Sequence, residues 1–255
     1  MSCAPKLVAC AIPGIPLIQA GDEIIEIIIE KAEAAGIQLR PGDILVISSK
    51  IVSKSLGRLV ALDQVEPSAE AEALASETGK DPRLVELILR QSRRVSRKRQ
   101  GVLVTEHHLG LVSANAGVDQ SNIEAGDDMA LLLPIDPDGA AQKFRADIER
   151  RLGIDVAIII SDTHGRPFRV GNVGVAIGAA GLPAVKDLRG QRDLFGRVLE
   201  VTQVAYADLV ASAAHLLCGE ADEGLPAVIV RGLDLSAPHG RAADLNRAAE
   251  HDLYR

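Results

Sequence analysis

Residues 155–161, DVAIIIS, constrain the fold of this chain more than any other stretch. A short run of branched apolar residues reads as a strand buried on both faces, and such a strand needs helices packed on each side of its sheet. The run empties into Asp162-Thr163-His164-Gly165-Arg166-Pro167. Gly-Arg-Pro reads as a turn, so a buried strand is predicted to end on a carboxylate. Residues 44–48 and 227–230 read as two further core strands. The first follows the turn Pro41-Gly42-Asp43 and delivers Ser48, Ser49, Lys50 and Lys54 at or just past its end.

Helical signals flank these runs. Asp22 is placed to cap a helix reaching about residue 35, with a buried stripe of Ile24, Ile25, Ile28 and Ile29 and a stop at Gly36. Residues 67–78 and 82–91 read as two helices split at Gly79, and 138–152 as an amphipathic helix. Thr202 is expected to cap a helix through about Leu217. Residues 102–105 and 109–113 read as a hairpin, with His107 and His108 on the surface at its turn. Helices and strands mix without regular βα alternation. The predicted class is α+β, with mixed sheets and flanking helices, and not a Rossmann sheet or an eightfold barrel. The tail after Pro238 is polar and helix-prone, and is expected to be a surface appendage.

Composition narrows the partners. Aromatic residues are 2% of the chain, so the core must come from Val, Ile, Leu and Ala, and stacking platforms for single-stranded nucleic acid are nearly absent. The net charge of −7 (28 Lys and Arg against 35 Asp and Glu) argues against a general nucleic-acid binder. Cys3, Cys10 and Cys218 form no CxxC pair, which predicts neither a zinc site nor a disulfide framework. The N-terminus lacks the apolar core of a signal peptide, and no apolar run approaches the ~20 residues that span a bilayer. A cytoplasmic protein without membrane partners is expected.

No GxxxxGK[ST] is present, which excludes a P-loop, and there is no GxSxG or HExxH. Gly171, Gly174, Gly178 and Gly181 have the wrong spacing for a dinucleotide loop, and close backbone packing accounts for them better. The positive signal is carboxylates at strand ends. Asp162 at a turn can simply cap backbone N–H groups. Set beside Thr163, Arg166 and Arg169, it also suits Mg²⁺ or Mn²⁺ bound together with phosphate. The loop carrying Asn115, Asp119 and Asn122 is either an Asx-rich turn or a second such site. Glu220, Asp222 and Glu223 form a third acidic set, which is a solvated loop unless the other two sites are real. Lys50 and Lys54 can hold a nucleotide phosphate. The basic cluster from Arg90 to Arg99 is either a solvated helix end or a dock for an anionic substrate.

In this order, DILVISSKIVSKSLGR, LVSANAGVDQSN, SDTHGRPFRVGNVGVAIGAAGLPAVKDLRGQRDLFGRVLEVT and GEADEGLPAVIVRG resemble the coenzyme F420-0:γ-glutamyl ligase family. The resemblance runs from about Ile15 to Gly232, and ANAGVDxSN together with SDTxGRPxRxG is specific to it. Where His164 stands the family has an aromatic residue, and where Phe168 stands it often has Trp, which bears on the acceptor pocket. The resemblance implies a γ-glutamyl ligase-like fold without a P-loop over residues 1–235, in two intertwined lobes, followed by a tail over 236–255. It implies a homodimer that adds L-glutamate to a deazaflavin phosphodiester, coenzyme F420-0, with GTP as co-substrate. Mg²⁺ or Mn²⁺ at two sites, and K⁺ as a further cation, are implied with it. Metal positions carried over are Asp119, Asp162 and Thr163, with a further ligand at Glu220. GTP contacts carried over are Ile15, Pro16, Leu17, Ile18, Ser49, Lys50, Lys54 and Asn122, together with the loop residues Gly219, Ala221, Asp222, Glu223 and Gly224. Arg166 and Arg169 are expected to be catalytic, steadying charge on the transferred phosphoryl group or holding the acceptor.

Overall fold

Branched apolar residues from three widely separated segments form the centre of one sheet. The computed structural model describes residues 4–123 and 126–253, so Cys3 lies outside the described residues. In chain order the elements are β1 (Val8–Ala11), α1 (Ile24–Ala34), β2 (Ile44–Ser48), α2 (Ser49–Ser55), β3 (Leu59–Ala61), α3 (Ala69–Thr78), α4 (Pro82–Arg90), β4 (Ser92–Arg99), β5 (Val102–His107), β6 (Val112–Ala114) and β7 (Met129–Leu131). They continue with α5 (Pro137–Leu152), β8 (Ala157–Arg166), β9 (Arg169–Ala180), β10 (Val185–Asp187), β11 (Gln203–Ala205), α6 (Tyr206–Cys218) and β12 (Ala227–Arg231). The main sheet has the order β1-β12-β2-β8-β9. Its β2–β8 pair is parallel and its other pairs are antiparallel. This mixed sheet with helices on both faces is the α+β class expected.

Alternation along β2 and β8 sorts the core. Leu45, Ile47, Ile158 and Ile160 meet Ile24 and Ile28 of α1 and Phe144 and Ile148 of α5 on one face. Ile44, Val46, Ala157 and Ile159 meet Ala207, Val210, Ala211 and Ala214 of α6 on the other. Burying each such isoleucine contributes about 1.5–3 kcal/mol, which is how an aromatic-poor chain sustains a core. A third cluster joins α3 and α4 to β5 through Leu74, Val85, Ile88 and Leu103, beside the sheet β4-β5-β6.

Close packing accounts for Gly174, Gly178 and Gly181 as expected, but not for Gly171, which has φ +90° and open space beside it. A Cβ on Gly174 would stand 2.5 Å from the His215 ring, and one on Gly178 would stand 2.4 Å from the Pro137 carbonyl oxygen.

Several local expectations are corrected. β8 does not end at Ser161 but runs on through Asp162 to Arg166, because β9 supplies a pairing partner along its length. Asp22 does not cap α1: Glu23 holds the cap position, and the Asp22 carboxylate accepts from the Gln19 N–H instead. Thr202 precedes β11, and α6 starts at Tyr206 without a side-chain cap.

Of the Arg90–Arg99 cluster only Arg90 sits at a helix end, closing α4. The rest lies in the edge strand β4, where Arg94 pairs with Glu106 and Lys98 with Glu77, both at 2.8 Å. Basic side chains on an edge discourage further strand pairing. The tail forms 3₁₀ turns at Ala242–Leu245 and Ala249–His251 rather than an α-helix. It is docked: Ala242 is buried, and Asp138 accepts hydrogen bonds from the Ala242 and Ala243 N–H groups.

His107 is buried rather than on the surface. Its Nδ1 accepts from the Leu109 N–H at 2.9 Å, which leaves the proton on Nε2, and that atom has no partner. Burial, then His108, Arg58 and Arg93, push its pKa down to about 4 from an ordinary 6.5, against the Asp162 charge. The unfolded chain therefore takes up a proton below pH 6.5 that the folded chain refuses, so stability falls as the solution is acidified. At pH 5 the penalty is about 2 kcal/mol, from roughly 1.5 pH units at 1.36 kcal/mol each. Urea unfolding at pH 7 and pH 5 is expected to show His107→Gln losing about 2 kcal/mol less than the parent across that interval. An equal loss in both proteins refutes this account.

Candidate functional site

The parallel pair β2–β8 sets Ser48 beside Ser161, so Ser49, where β2 gives way to α2, lies next to Asp162 as β8 runs on beyond its partner. Ser49 Oγ donates to Asp162 Oδ1 at 2.8 Å, and His164 Nε2 donates to Asp162 Oδ2 at 3.0 Å. Cleft formation at the carboxyl ends of neighbouring parallel strands is the general rule for open sheets. Lys50 and Lys54, four residues apart on α2, share one helix face. Lys50 Nζ reaches Asp119 at 2.7 Å and the Ser121 hydroxyl and carbonyl at 2.9 Å, and Lys54 Nζ donates to the Asn122 carbonyl.

The loop presenting Asp119 is strained. Asn115, Ala116 and Gly117 all have positive φ, at 55°, 52° and 67°. Each non-glycine residue in that region costs roughly 1–2 kcal/mol. Ala116 is fully buried in the third core cluster, and this packing holds the turn. Burial alone would raise the Asp119 pKa, but hydrogen bonds from Lys50 and Ser121 outweigh it and hold the carboxyl below its ordinary value. It is an anion, paired with the Lys50 ammonium.

On the far wall, the 219–224 loop follows α6. Thr163 Oγ1 donates to Glu220 Oε1 at 3.1 Å, and Asn122 Nδ2 crosses to the Ala221 carbonyl at 3.1 Å. Glu223 turns inward. Its carboxylate accepts from the Ala221 N–H, which lowers its pKa, and it fills the space that a Cβ on Gly219 would need. Cys218 beside it has its thiol pushed up to about 11 by burial and then by Glu220, so it stays protonated at neutral pH.

These walls enclose a cleft of about 550 Å³, a size suited to a nucleotide. Asp119, Asp162, Thr163 and Glu220 line it, as do Ser49, Lys50, Lys54 and Asn122. Ile15, Pro16, Leu17 and Ile18 form one side, and Gly219, Ala221, Asp222, Glu223 and Gly224 the opposite one. Arg166 and Arg169 are not brought there. They face each other as the last pair of the β8–β9 hairpin, exposed, four residues or roughly 13 Å along the strand beyond Asp162.

Ser161, Ser121 and His215 also line or support the cleft, and the motifs did not reveal them. Their signal lay in spacing: Ser161 precedes Asp162, Ser121 lies within the ANAGVDQSN block, and His215 falls five residues before Glu220.

Among the described residues no three His, Cys, Asp or Glu side chains converge as a cage for a metal. Magnesium-like ions need none when phosphate is present: one or two carboxylates plus phosphate oxygens suffice. Asp119 and Asp162, which also share a small recess behind the cleft, are a donor set of that kind. Among the described residues no helix is long and apolar enough to cross a membrane.

The chain is 47% identical over 246 residues to the coenzyme F420:L-glutamate ligase of Methanothermobacter thermautotrophicus, covering 96% of this chain and 97% of that one. It is 48% identical to the protein of the same name from Methanopyrus kandleri, covering 93% of each. The Haloarcula marismortui protein of that name is 39% identical over 96% of this chain and 94% of its own length. The profile of F420-0:gamma-glutamyl ligase matches residues 14–232, from the apolar wall at Ile15 past the 219–224 loop, and the chain belongs to that family.

Proposed function

We propose that this chain is a GTP- and divalent-metal-dependent ligase that adds L-glutamate to coenzyme F420-0, and further glutamates through γ-linkages. The observation that carries the reading is the meeting of Asp119 and Asp162 with Lys50 and Lys54 in one nucleotide-sized cleft, in a chain 47% identical to a coenzyme F420:L-glutamate ligase. Joining a carboxylate to an amine requires an activated acyl group. The acceptor carboxylate oxygen attacks the γ-phosphorus of GTP, giving an acyl phosphate and releasing GDP. The glutamate amine then attacks the acyl carbon, forming the amide, expelling phosphate and giving up a proton.

Both partners in the first step are anionic. Lys50 and Lys54 offset phosphate charge, and the Asp119 and Asp162 carboxylates would hold Mg²⁺ or Mn²⁺. Such an ion, when bound, would neutralise charge on the phosphates. Ser49 and His164 hold the Asp162 oxygens in place. No covalent enzyme intermediate is needed, and the raised Cys218 thiol is consistent with that.

Phe168 and Val170, at the tip of the hairpin that carries Arg166 and Arg169, are almost wholly exposed, as are Leu194 and Phe195 in the loop between β10 and β11. This supports a homodimer in which a second copy covers the tip and the arginines work at an inter-subunit site. Purified protein incubated with F420-0, L-glutamate, GTP and Mn²⁺ is expected to give products in one-glutamate mass steps, lost when GTP or metal is omitted. An unchanged acceptor mass in folded, metal-supplied protein overturns the reading.

A further inference from the structure

His215 belongs to none of the motifs, yet its imidazole is built into the wall of the cleft. Its side chain is 13% exposed near the C-terminal end of α6. Nε2 lies 3.0 Å from Ser161 Oγ, and Nδ1 lies 3.4 Å from Glu220 Oε1. A carboxylate only accepts, so this arrangement places the proton on Nδ1 and leaves Nε2 to accept from the serine hydroxyl. With both ring nitrogens engaged, the ring itself is not offered to a cation.

The Glu220 oxygen that His215 approaches is the one that Thr163 Oγ1 reaches. β8 therefore grips the Glu220 carboxylate twice: directly from Thr163, and from Ser161 by way of His215. The loop's other contacts, from Glu223 to the Ala221 N–H and from Asn122 to the Ala221 carbonyl, fix its backbone and leave the Glu220 carboxylate alone. That side chain is 56% exposed, so without the grip it is free to turn into solvent. Gly174, paired with Thr163 on the next strand, makes the arrangement possible. A Cβ there would lie 2.5 Å from His215 Cδ2 and 2.8 Å from the Ala211 carbonyl oxygen, so the glycine is the notch that admits the ring.

We infer that His215 is a positioning residue: it presents the Glu220 carboxylate to the cleft beside Asp162 and Thr163, as a ligand arm for the divalent cation. The inference rests on the metal-dependent reading above. Outer partners of metal ligands are worth about 10–100-fold in metal affinity.

The test is Mn²⁺ binding in the presence of saturating GDP, read by electron paramagnetic resonance against a protein-free GDP blank. His215→Ala is expected to bind Mn²⁺ about 10–100-fold more weakly than the parent. Asparagine keeps a donor near the position of Nδ1 and glutamine keeps one near Nε2. His215→Asn should therefore recover most of the affinity and His215→Gln should not, and this contrast stands even where the alanine variant folds poorly. In a Glu220→Gln background, His215→Ala should add nothing further. Parent-like affinity in His215→Ala alongside weakened binding in Glu220→Gln refutes the positioning role and leaves the metal reading intact. Additive losses in the double variant refute it as well. Absence of Mn²⁺ binding by the parent protein refutes the metal reading and this inference with it.

Discussion

Asp162→Asn is expected to lower glutamate ligation more than about 100-fold while leaving the protein folded. The substitution preserves shape. An asparagine oxygen still accepts from Ser49 Oγ, and the side chain still occupies the space between Ser49 and His164. What disappears is one negative charge and the acceptor facing His164 Nε2, on a side chain 19% exposed at the mouth of a parallel strand pair. A residue that merely capped a turn would lose almost nothing with that charge, because Asn caps about as well as Asp. A cation ligand loses most of its function, because the ion is held by charge as well as by geometry. Thermal unfolding and kcat/KM measured on one preparation separate the two roles. Parent-like turnover in the folded variant overturns the ligand assignment. Ser49→Ala serves as a milder companion: it removes a single hydrogen bond to Asp162 and is expected to cost activity far less than the charge does.

Much of this site was legible because the sequence concentrates its chemistry where hydrophobic runs stop. The strands at 44–48 and around 157–161 stand out by density of Ile and Val, and Ser49 and Asp162 follow them directly. The pairing of those two strands was not legible, since register depends on partners far away in the chain. His215 illustrates the same limit. It is an ordinary helix residue in sequence, and its role arises when Gly174, more than forty residues earlier, opens a notch at its level.

β4 was misjudged for another reason. Arg93, Arg94, Arg97, Lys98 and Arg99 give no apolar alternation, so nothing in their order announces a strand, and its pairing with β5 decides the matter. His107 was placed at a turn by the short hairpin spacing. It closes β5 instead, and burial there sets its titration. Arg166 and Arg169 were grouped with Asp162 by proximity in sequence. An extended strand separates neighbours by about 3.3 Å per residue, so four residues carry a side chain clear of the cleft.

Gly178→Ala is expected to destabilise the protein by about 3 kcal/mol, although the change is a single methyl group on an ordinary strand backbone. Gly178 pairs with Ile160, and a Cβ there would lie 2.4 Å from the Pro137 oxygen and 2.6 Å from the Pro137 carbon. Both are backbone atoms at the start of α5, so no side chain can rotate away. The helix start has to retreat by about 1 Å to reach normal contact. That start is also where Asp138 Oδ1 accepts from the Ala179 and Ala242 N–H groups, each at 2.8 Å. Overpacking costs about 1–3 kcal/mol and each lengthened hydrogen bond about 1 more, against roughly 0.4–1 kcal/mol gained by stiffening the unfolded chain. A net loss of about 3 kcal/mol lowers Tm by roughly 6–12 °C in a protein of this size. Gly165→Ala separates steric cost from entropy. Its nearest neighbour would be Asn172 Oδ1 at 3.6 Å, an ordinary contact, so the same methyl group should leave only the unfolded-chain term and stabilise by about 0.4–1 kcal/mol. Urea midpoints at unchanged m-value measure both. Equal midpoints for the two variants mean that α5 yields to the sheet at no cost, and the tight helix–sheet contact at Gly178 then has no part in holding the tail or the sheet in place.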